Sequence, residues 1–410
     1  MRWSGTVLLV ANNFPPVRGG SAVVYENLAR HSAGAVAVVA PRRNYVDGLP
    51  LIGWREHDRT AGYRVIRLPL LRTVLAGASG GRPSRLRFLG GDLWIRARLL
   101  LVLLLLRRRL RVRAVCVGEL LASAWLLAAL RRFGRVRTLV YVHGEEITTE
   151  DPYDGDGTRR RAGLRAADQI IVVSRFTENA VRALLGPEVP ASIRLIENGV
   201  DTARFTPRPR RPDLLALYGI AGCFVFVSVC RLLEKKGVDN AIRAFATLRP
   251  RHPALRFLVV GSGPFRDQLE AIAAGSGVAA EVVFTGGVPK DDLVDHYCLG
   301  DVFVMPNRRV GNGDTEGFGL VFLEANACGV PVIAGQDGGS ADAVTDGENG
   351  LVVDGASVPA IARAMERLLT DGGLRQRLGR RGAEIAAAAD WRNKAAAFLA
   401  CCGDIGGPCP

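Results

Sequence analysis

The chain has 410 residues, 48% of them hydrophobic and 23% charged, a balance that fits two to three folded domains and excludes a disordered chain. Its 48 glycines and 21 prolines follow no period, which excludes collagen-like and low-complexity architectures. The net charge is +14, and its excess lies in the first half: residues 1–199 hold 31 of the 54 basic and 16 of the 40 acidic residues, leaving 23 and 24 for residues 200–410. So basic a half suits nucleic acid, anionic lipid or a phosphorylated substrate.

In chain order, Thr6–Val10 reads as a buried strand. A turn with Pro15, Pro16, Gly19 and Gly20 follows, and Ser21 is placed to cap a helix reaching about His31. Val36–Val39, Val65–Leu68, Ala114–Val117, Thr138–Val142 and Gln169–Val173 read as further short apolar strands with helical stretches between several of them. The stretch near residues 196–212 is a boundary. Beyond it come strands at Phe224–Cys230, Arg256–Val260, Val282–Thr285, Val302–Met305, Pro331–Ala334 and Leu351–Val353. Helices fall at about 238–248, 265–275, 290–299, 319–328, 358–370 and 374–389. Asp390–Leu399 reads as a short helix and Cys401–Pro410 as a loose tail. Continuous apolar strands alternating with helices predict two doubly wound α/β units with parallel sheets, and their ligands belong in loops after the strands.

The eight cysteines form no C-x-x-C pair and sit mostly in apolar runs, so zinc and thioredoxin chemistry are disfavoured and a reducing compartment is expected. The longest apolar run, Leu99–Leu106, falls short of the ~20 residues of a membrane span, and no signal peptide is visible.

Four post-strand constellations carry the chemistry. Gly19 and Gly20 make either a phosphate cradle at a helix start or an ordinary tight turn. His143, at the end of a buried strand, is either a structural histidine or a hydrogen-bonding partner for a sugar hydroxyl or a developing charge. Arg231 and Lys236 either converge on a diphosphate or belong to a solvated cluster with Glu234 and Lys235; their place after a buried strand favours the diphosphate. Glu316 and Glu324 are separated by seven residues that include Gly317, Phe318 and Gly319. Glu324 falls about a turn into an apolar helix, where a carboxylate needs a partner: a ribose diol or a salt bridge. Glu316 precedes that helix, as a ligand for a hexose hydroxyl or as a helix-start carboxylate.

Taken together and in this order, Phe14-Pro15-Pro16…Gly19-Gly20, His143-Gly144, Asn198-Gly199-Val200-Asp201, Arg231…Lys236-Gly237, Gly261-Ser262-Gly263-Pro264 and Glu316…Glu324 resemble the retaining GT-B enzymes of glycosyltransferase family 4. The stretch Met305–Gly339 is particularly similar to phosphatidylinositol mannosyltransferases and their relatives, whereas the N-terminal half is less typical. The resemblance implies two Rossmann-like domains facing a cleft: residues 1–199 on the acceptor side, residues 200–389 binding a nucleotide sugar, and residues 390–410 packing back on the first. It implies that Gly19, Gly20, Arg231 and Lys236 hold the donor diphosphate and that Glu324 binds the ribose. Glu316, with the Phe318 and Gly319 amides, would hold the sugar, His143 would lie near the reacting centre, and Val288 would meet the base through its backbone. No metal or other cofactor is expected.

Residues 82–113 carry ten arginines and one aspartate among Trp94, Ile95 and Leu99–Leu106. They form either a basic helix in the interface of an anionic membrane or a core helix with an arginine-rich outer face. Nucleic acid is disfavoured, because no recognition motif is present and aromatics are only 7%. The expected function is transfer of a hexose, mannose from GDP-mannose, to a lipid-linked or other membrane-associated acceptor in glycolipid or cell-envelope glycan synthesis. The enzyme would be cytoplasmic and peripheral on the inner membrane face. The alternatives are a UDP-sugar-dependent transferase acting on a soluble molecule, a nucleotide-sugar epimerase on the same fold, and a non-catalytic membrane-associated binding module. Nothing in the sequence speaks to oligomeric state.

Overall fold

A computed structural model describes residues 5–17, 19–74, 82–133, 136–151, 154–187 and 192–403, apart from the side chains of residues 82–87 and 133. The first sheet contains β1 (Thr6–Val10), β2 (Val36–Pro41), β3 (Arg64–Leu68), β4 (Val112–Val117), β5 (Arg137–Val142), β6 (Gln169–Val172) and β7 (Ser192–Leu195). The second contains β8 (Phe224–Val229), β9 (Leu255–Val260), β10 (Val282–Gly286), β11 (Val302–Met305), β12 (Val332–Gly335) and β13 (Gly350–Val353). Their strand orders are 3-2-1-4-5-6-7 and 10-9-8-11-12-13, and all pairings are parallel. The apolar runs dictate this. Val7–Val10, Leu139–Val142 and Val225–Val227 are fully buried, because helices cover both faces of each sheet. In each sheet the first strand lies in the interior and the order reverses beside it, so the crevice for ligands opens at the carboxyl ends.

Strand β7 was not anticipated. Its sequence Ser-Ile-Arg-Leu is short and only half buried, as befits an edge strand. It is held by its ladder to β6 and by the Gln169 amide, which donates to the Ser192 carbonyl at 2.7 Å. The first helix, Gly20–Arg30, is capped by the extended Gly19 with no side-chain hydrogen bond, so Ser21 lies inside the helix and does not cap it.

The basic leucine-rich segment forms one helix, Arg82–Arg109. Ile95, Leu99 and Leu103 recur every four residues and are buried on the first sheet. A second stripe faces outward: Leu93 is 70% and Trp94 67% exposed, with Leu89, Leu101 and Leu105 also exposed. The inner stripe packs as the core reading expects, while the outer face carries exposed leucines and a tryptophan as well as arginines. Among the described residues, no helix is long and apolar enough to cross a membrane.

The chain closes with a helix at Trp391–Gly403 that packs against Gly20–Arg30. Trp391 and Phe398 are buried, and the Phe398 ring lies 6.3 Å from that of Tyr141. Cys401 and Cys402 are also buried, so the chain is ordered through Gly403 where a tail was expected; residues 404–410 of that tail lie outside the described residues. At the crossing between the halves, the Val200 amide donates to Ala389 O at 2.9 Å and Thr202 Oγ1 donates to Asp390 Oδ2 at 2.9 Å. Gly199 is required there, since a Cβ would sit 2.6 Å from Ala389 O. Phe398→Ala is expected to lower stability by ~3–5 kcal/mol in urea unfolding, as large-to-small changes of buried aromatics do.

Candidate active site in the cleft

The site is assembled from loops at the carboxyl ends of both sheets. After β1, the chain is fixed by Glu119 at the end of β4: its carboxylate accepts from the Asn12 and Asn13 amides at 2.9 Å each and from Asn12 Nδ2 at 3.1 Å. This aims the turn at the start of helix Gly20–Arg30. A Cβ on Gly19 would meet nothing within 4 Å, and one on Gly20 would only touch Leu320 of the opposite half at 4.0 Å. The first N–H groups of this helix are uncovered by any cap side chain, and its start lies beside that of helix Leu320–Ala327. That second helix also starts from a glycine, Gly319 at φ +89°, where a Cβ would collide with the Phe322 ring at 2.5 Å. Two helix starts thus meet across the crevice, each favouring negative charge.

Lys236 Nζ donates to Glu316 Oε2, and both side chains are nearly buried. Burial opposes ionisation of Glu316, but Lys236, Lys235 and the Phe318 amide outweigh it and hold the carboxyl below its ordinary value of 4.5. Burial likewise opposes a charged Lys236, and Glu316 outweighs it, raising the ammonium above 10.5. Lys235 pairs with Asp314 at 2.7 Å and donates to Thr315 O. Arg231 is exposed at the mouth, with no carboxylate partner among the described residues. Its loop is packed backbone to backbone: a Cβ on Gly261 would lie 1.9 Å from Cys230 O, and one on Gly263 2.2 Å from Leu232 O. Glu324, one turn into its helix, accepts from Tyr297 OH at 2.6 Å; burial raises its pKa against the pull of Tyr297, Arg204 and Lys290. Val288, in the loop after β10, packs on the core beside Lys290, which reaches across to Glu26 at 3.3 Å.

His143 follows β5. Its Nε2 lies 2.8 Å from Tyr25 OH, which gives its own proton to Gly118 O, so the imidazole is the donor and Nδ1 is left as an acceptor. Burial depresses its pKa to about 3, so the ring is neutral at physiological pH. The His143 amide donates to Glu146 at 2.9 Å, and burial raises that carboxyl to about 7. The histidine loop touches the opposite half directly. A Cβ on Gly317 would lie 1.9 Å from His143 O, and one on Gly144 3.2 Å from the Gly317 Cα. The Glu150 amide donates to Asn312 O at 2.9 Å beside this contact.

The structure therefore gathers Gly19, Gly20, Arg231, Lys236, Glu316, Phe318, Gly319 and Glu324 around one crevice, with His143 on its N-terminal wall and Val288 at the edge of the second sheet. Lys236 faces Glu316 directly rather than standing free beside Arg231. Glu119, Tyr25 and Tyr297 were missed, and Lys235, named only as part of a solvated cluster, is buried against Asp314. Glu119 follows a predicted strand and could have been found; the two tyrosines give no sequence signal. Among the described residues, no three His, Cys, Asp or Glu side chains cluster to hold a metal ion.

The chain is similar to known proteins over most of its length. Residues 18–204 match the profile of Glycosyltransferase Family 4, and residues 211–385 that of Glycosyl transferases group 1. The chain is 37% identical over 375 residues to a GDP-mannose-dependent alpha-(1-6)-phosphatidylinositol monomannoside mannosyltransferase of Mycolicibacterium smegmatis, covering 89% of each chain. It is 36% identical to the Mycobacterium tuberculosis protein of that name, covering 94% of each. It also matches an Acidothermus cellulolyticus D-inositol 3-phosphate glycosyltransferase at 35% identity, over 69% of this chain and 63% of that one. Among solved structures, sucrose-phosphate synthase from Thermosynechococcus elongatus superposes with a TM-score of 0.74 at 24% identity, over 96% and 97% of the two chains. Anabaena HepE superposes at 0.75 with 19% identity, over 97% and 99%. The chain belongs to the family 4 glycosyltransferases, and its two facing parallel-sheet units are the GT-B fold.

Two outcomes follow from this geometry. Gly317→Ala must force the halves apart at His143, and it is expected to lower kcat/KM for sugar transfer ~100-fold in a steady-state assay, as small misplacements of reacting groups do. Glu316→Gln removes a buried ion pair and is expected to cost ~3–5 kcal/mol. A carboxyl lowered from 4.5 stabilises above that pH, and an ammonium raised from 10.5 stabilises below it. The cost in denaturant unfolding is therefore flat between those values and shrinks as the pH falls through the carboxyl's folded pKa.

Proposed function

We propose that this glycosyltransferase moves mannose from GDP-mannose, with retention, onto a phosphatidylinositol-based lipid acceptor. The observation that carries the reading is the pairing of Lys236 with Glu316 between two opposed helix starts, in a chain 36–37% identical to GDP-mannose-dependent enzymes over most of its length. In this reading the donor diphosphate lies between Gly19–Gly20 and Arg231–Lys236, where two cations and two helix starts neutralise it without a metal. Glu324, oriented by Tyr297, takes the ribose diol, and the Val288 backbone meets the base. Glu316 and the Phe318 and Gly319 amides hold the mannose hydroxyls, while Nδ1 of neutral His143 accepts from another.

The bond from C1 to the diphosphate breaks and the bond from C1 to the acceptor oxygen forms on the same face. The acceptor proton passes to the departing phosphate oxygen. Positive charge at C1 is stabilised by the leaving diphosphate and by the ionised Glu316. The acceptor reading also places the protein at the cytoplasmic membrane face, through the exposed leucine and tryptophan stripe and arginines of helix Arg82–Arg109. Identity to GDP-mannose-dependent enzymes over nearly the whole chain favours this reading over a UDP-sugar transferase of soluble molecules, an epimerase or a binding module.

The test incubates the purified protein with labelled GDP-mannose and phosphatidylinositol monomannoside in mixed micelles. Label is expected in the lipid fraction, with UDP-glucose a poor donor. Glu316→Ala is expected to reduce transfer ~100-fold or more. Full transfer by that variant, or a preference for UDP-glucose, would overturn the assignment.

A further inference from the structure

Beside the donor crevice, on the same carboxyl edge of the first sheet, lies an open pocket of about 320 Å³ lined by Arg42, Arg43, Pro50, Trp54, Arg55 and Pro69. The loop 42–53 after β2 forms one wall, and Pro69 after β3 the other. None of the three arginines has a carboxylate partner among the described residues; the polar contact given by Arg43 is to the Gly48 carbonyl, at 3.2 Å. Arg55 lies over the Trp54 ring at 4.9 Å. Arg98 donates to Leu70 O beside Pro69, and burial, helped by the Arg42 guanidinium, lowers its pKa. Cations drawn together without an acid are complementary to an anion with several oxygens.

The loop's tip adds a second, independent feature. Ile52 is 92% exposed, and Val46 and Leu49 stand out beside it. These apolar side chains project from the same loop that carries Arg42 and Arg43, and Arg55 follows it in the first turn of helix Trp54–Thr60. A soluble anion gains nothing from three exposed aliphatic side chains next to its site; a lipid does, because its acyl region lies directly beyond its phosphate.

The pocket is tied to the catalytic crevice through Arg67. This β3 side chain donates to Pro15 O at 2.5 Å, to Pro41 O at 2.9 Å and to Asp58 at 2.8 Å. It joins the turn before Gly19, the end of β2 and the helix Trp54–Thr60. At ~4.8 Å per strand, β2 and β3 lie only ~5 and ~10 Å from β1, a separation suited to a headgroup held in the pocket and presenting a hydroxyl to the crevice.

We propose that Arg42, Arg43 and Arg55 bind the phosphodiester of the acceptor lipid while Val46, Leu49 and Ile52 enter the membrane interface. The proposal rests on the lipid-acceptor reading above and gives it a recognition site.

The test uses the full chain, in sedimentation with vesicles of phosphatidylcholine alone or with added phosphatidylinositol, alongside titration with inositol 1-phosphate. Each arginine at an anionic surface is worth about fivefold in affinity, so the triple variant Arg42→Ala, Arg43→Ala, Arg55→Ala is expected to bind phosphatidylinositol vesicles ~100-fold more weakly. The triple lysine variant is expected to keep most of the binding, which separates charge from misfolding. Leu49→Ser with Ile52→Ser is expected to weaken vesicle binding yet leave inositol 1-phosphate binding intact. A triple alanine variant that matches the wild type in both assays overturns the pocket. Binding of inositol 1-phosphate with no preference for phosphatidylinositol vesicles overturns the lipid source. Mannose transfer is scored separately. If the wild type transfers no mannose but shows the arginine-dependent vesicle binding, the catalytic reading falls and the pocket stands.

Discussion

At their tightest seam the two halves of this molecule meet through backbone. At the seam between His143-Gly144 and Glu316-Gly317, carbonyls and Cα atoms approach so closely that even a methyl group cannot be admitted. That constraint sets the rest of the site. It brings the end of β5 against the segment before helix Leu320–Ala327, and so places a neutral imidazole and an ionised carboxylate on opposite walls of one crevice. It also explains the glycines on both sides: Gly338 and Gly339 pack on the Glu316 and Gly317 carbonyls from behind, so the segment carrying Glu316 is held by close contacts on two sides. A carboxylate fixed this way loses little freedom when it meets a ligand, which is the sense in which the site is preorganised.

Charge in the crevice is arranged in a chain. Asp314 takes up Lys235 and Glu316 takes up Lys236, while Arg231 is exposed with no carboxylate partner among the described residues. Arg231 therefore differs from Lys236, whose ammonium is already taken up by Glu316. Tyr297 and Tyr25 act similarly at one remove: each hydrogen-bonds a polar group of the crevice, Glu324 or His143, and fixes which of its atoms face inward.

Much of this was written in the sequence, for a physical reason. Strands buried on both faces need uninterrupted apolar runs, so β1, β4, β5, β8 and β11 stand out. Post-strand positions and the Glu316–Glu324 spacing then locate the crevice without coordinates. What could not be read has equally physical causes. β7 is an edge strand whose alternating, half-buried sequence carries no such run. Tyr25 and Tyr297 lie inside helices, where an aromatic looks like core, and only the folded geometry shows their hydroxyls turned to His143 and Glu324. The arginine-rich helix was ambiguous because leucines fill both its inner and outer stripes. The end of the last helix was placed too early, where small residues and cysteines hide a packed helix, as at Cys401 and Cys402.

The polypeptide crosses between the halves twice, at Gly199–Val200 and again at Ala389–Asp390, and the two crossings run side by side in a parallel bridge. A single tether would let the lobes twist freely about it. A paired one behaves as the spine of a book, permitting them to swing about one line while resisting torsion and sideways slip. Since the final helix is anchored on the opposite lobe, that spine cannot be loosened from one end alone. Any swing of the lobes about that line must part His143 from Gly317 and return them to the same register each time it closes.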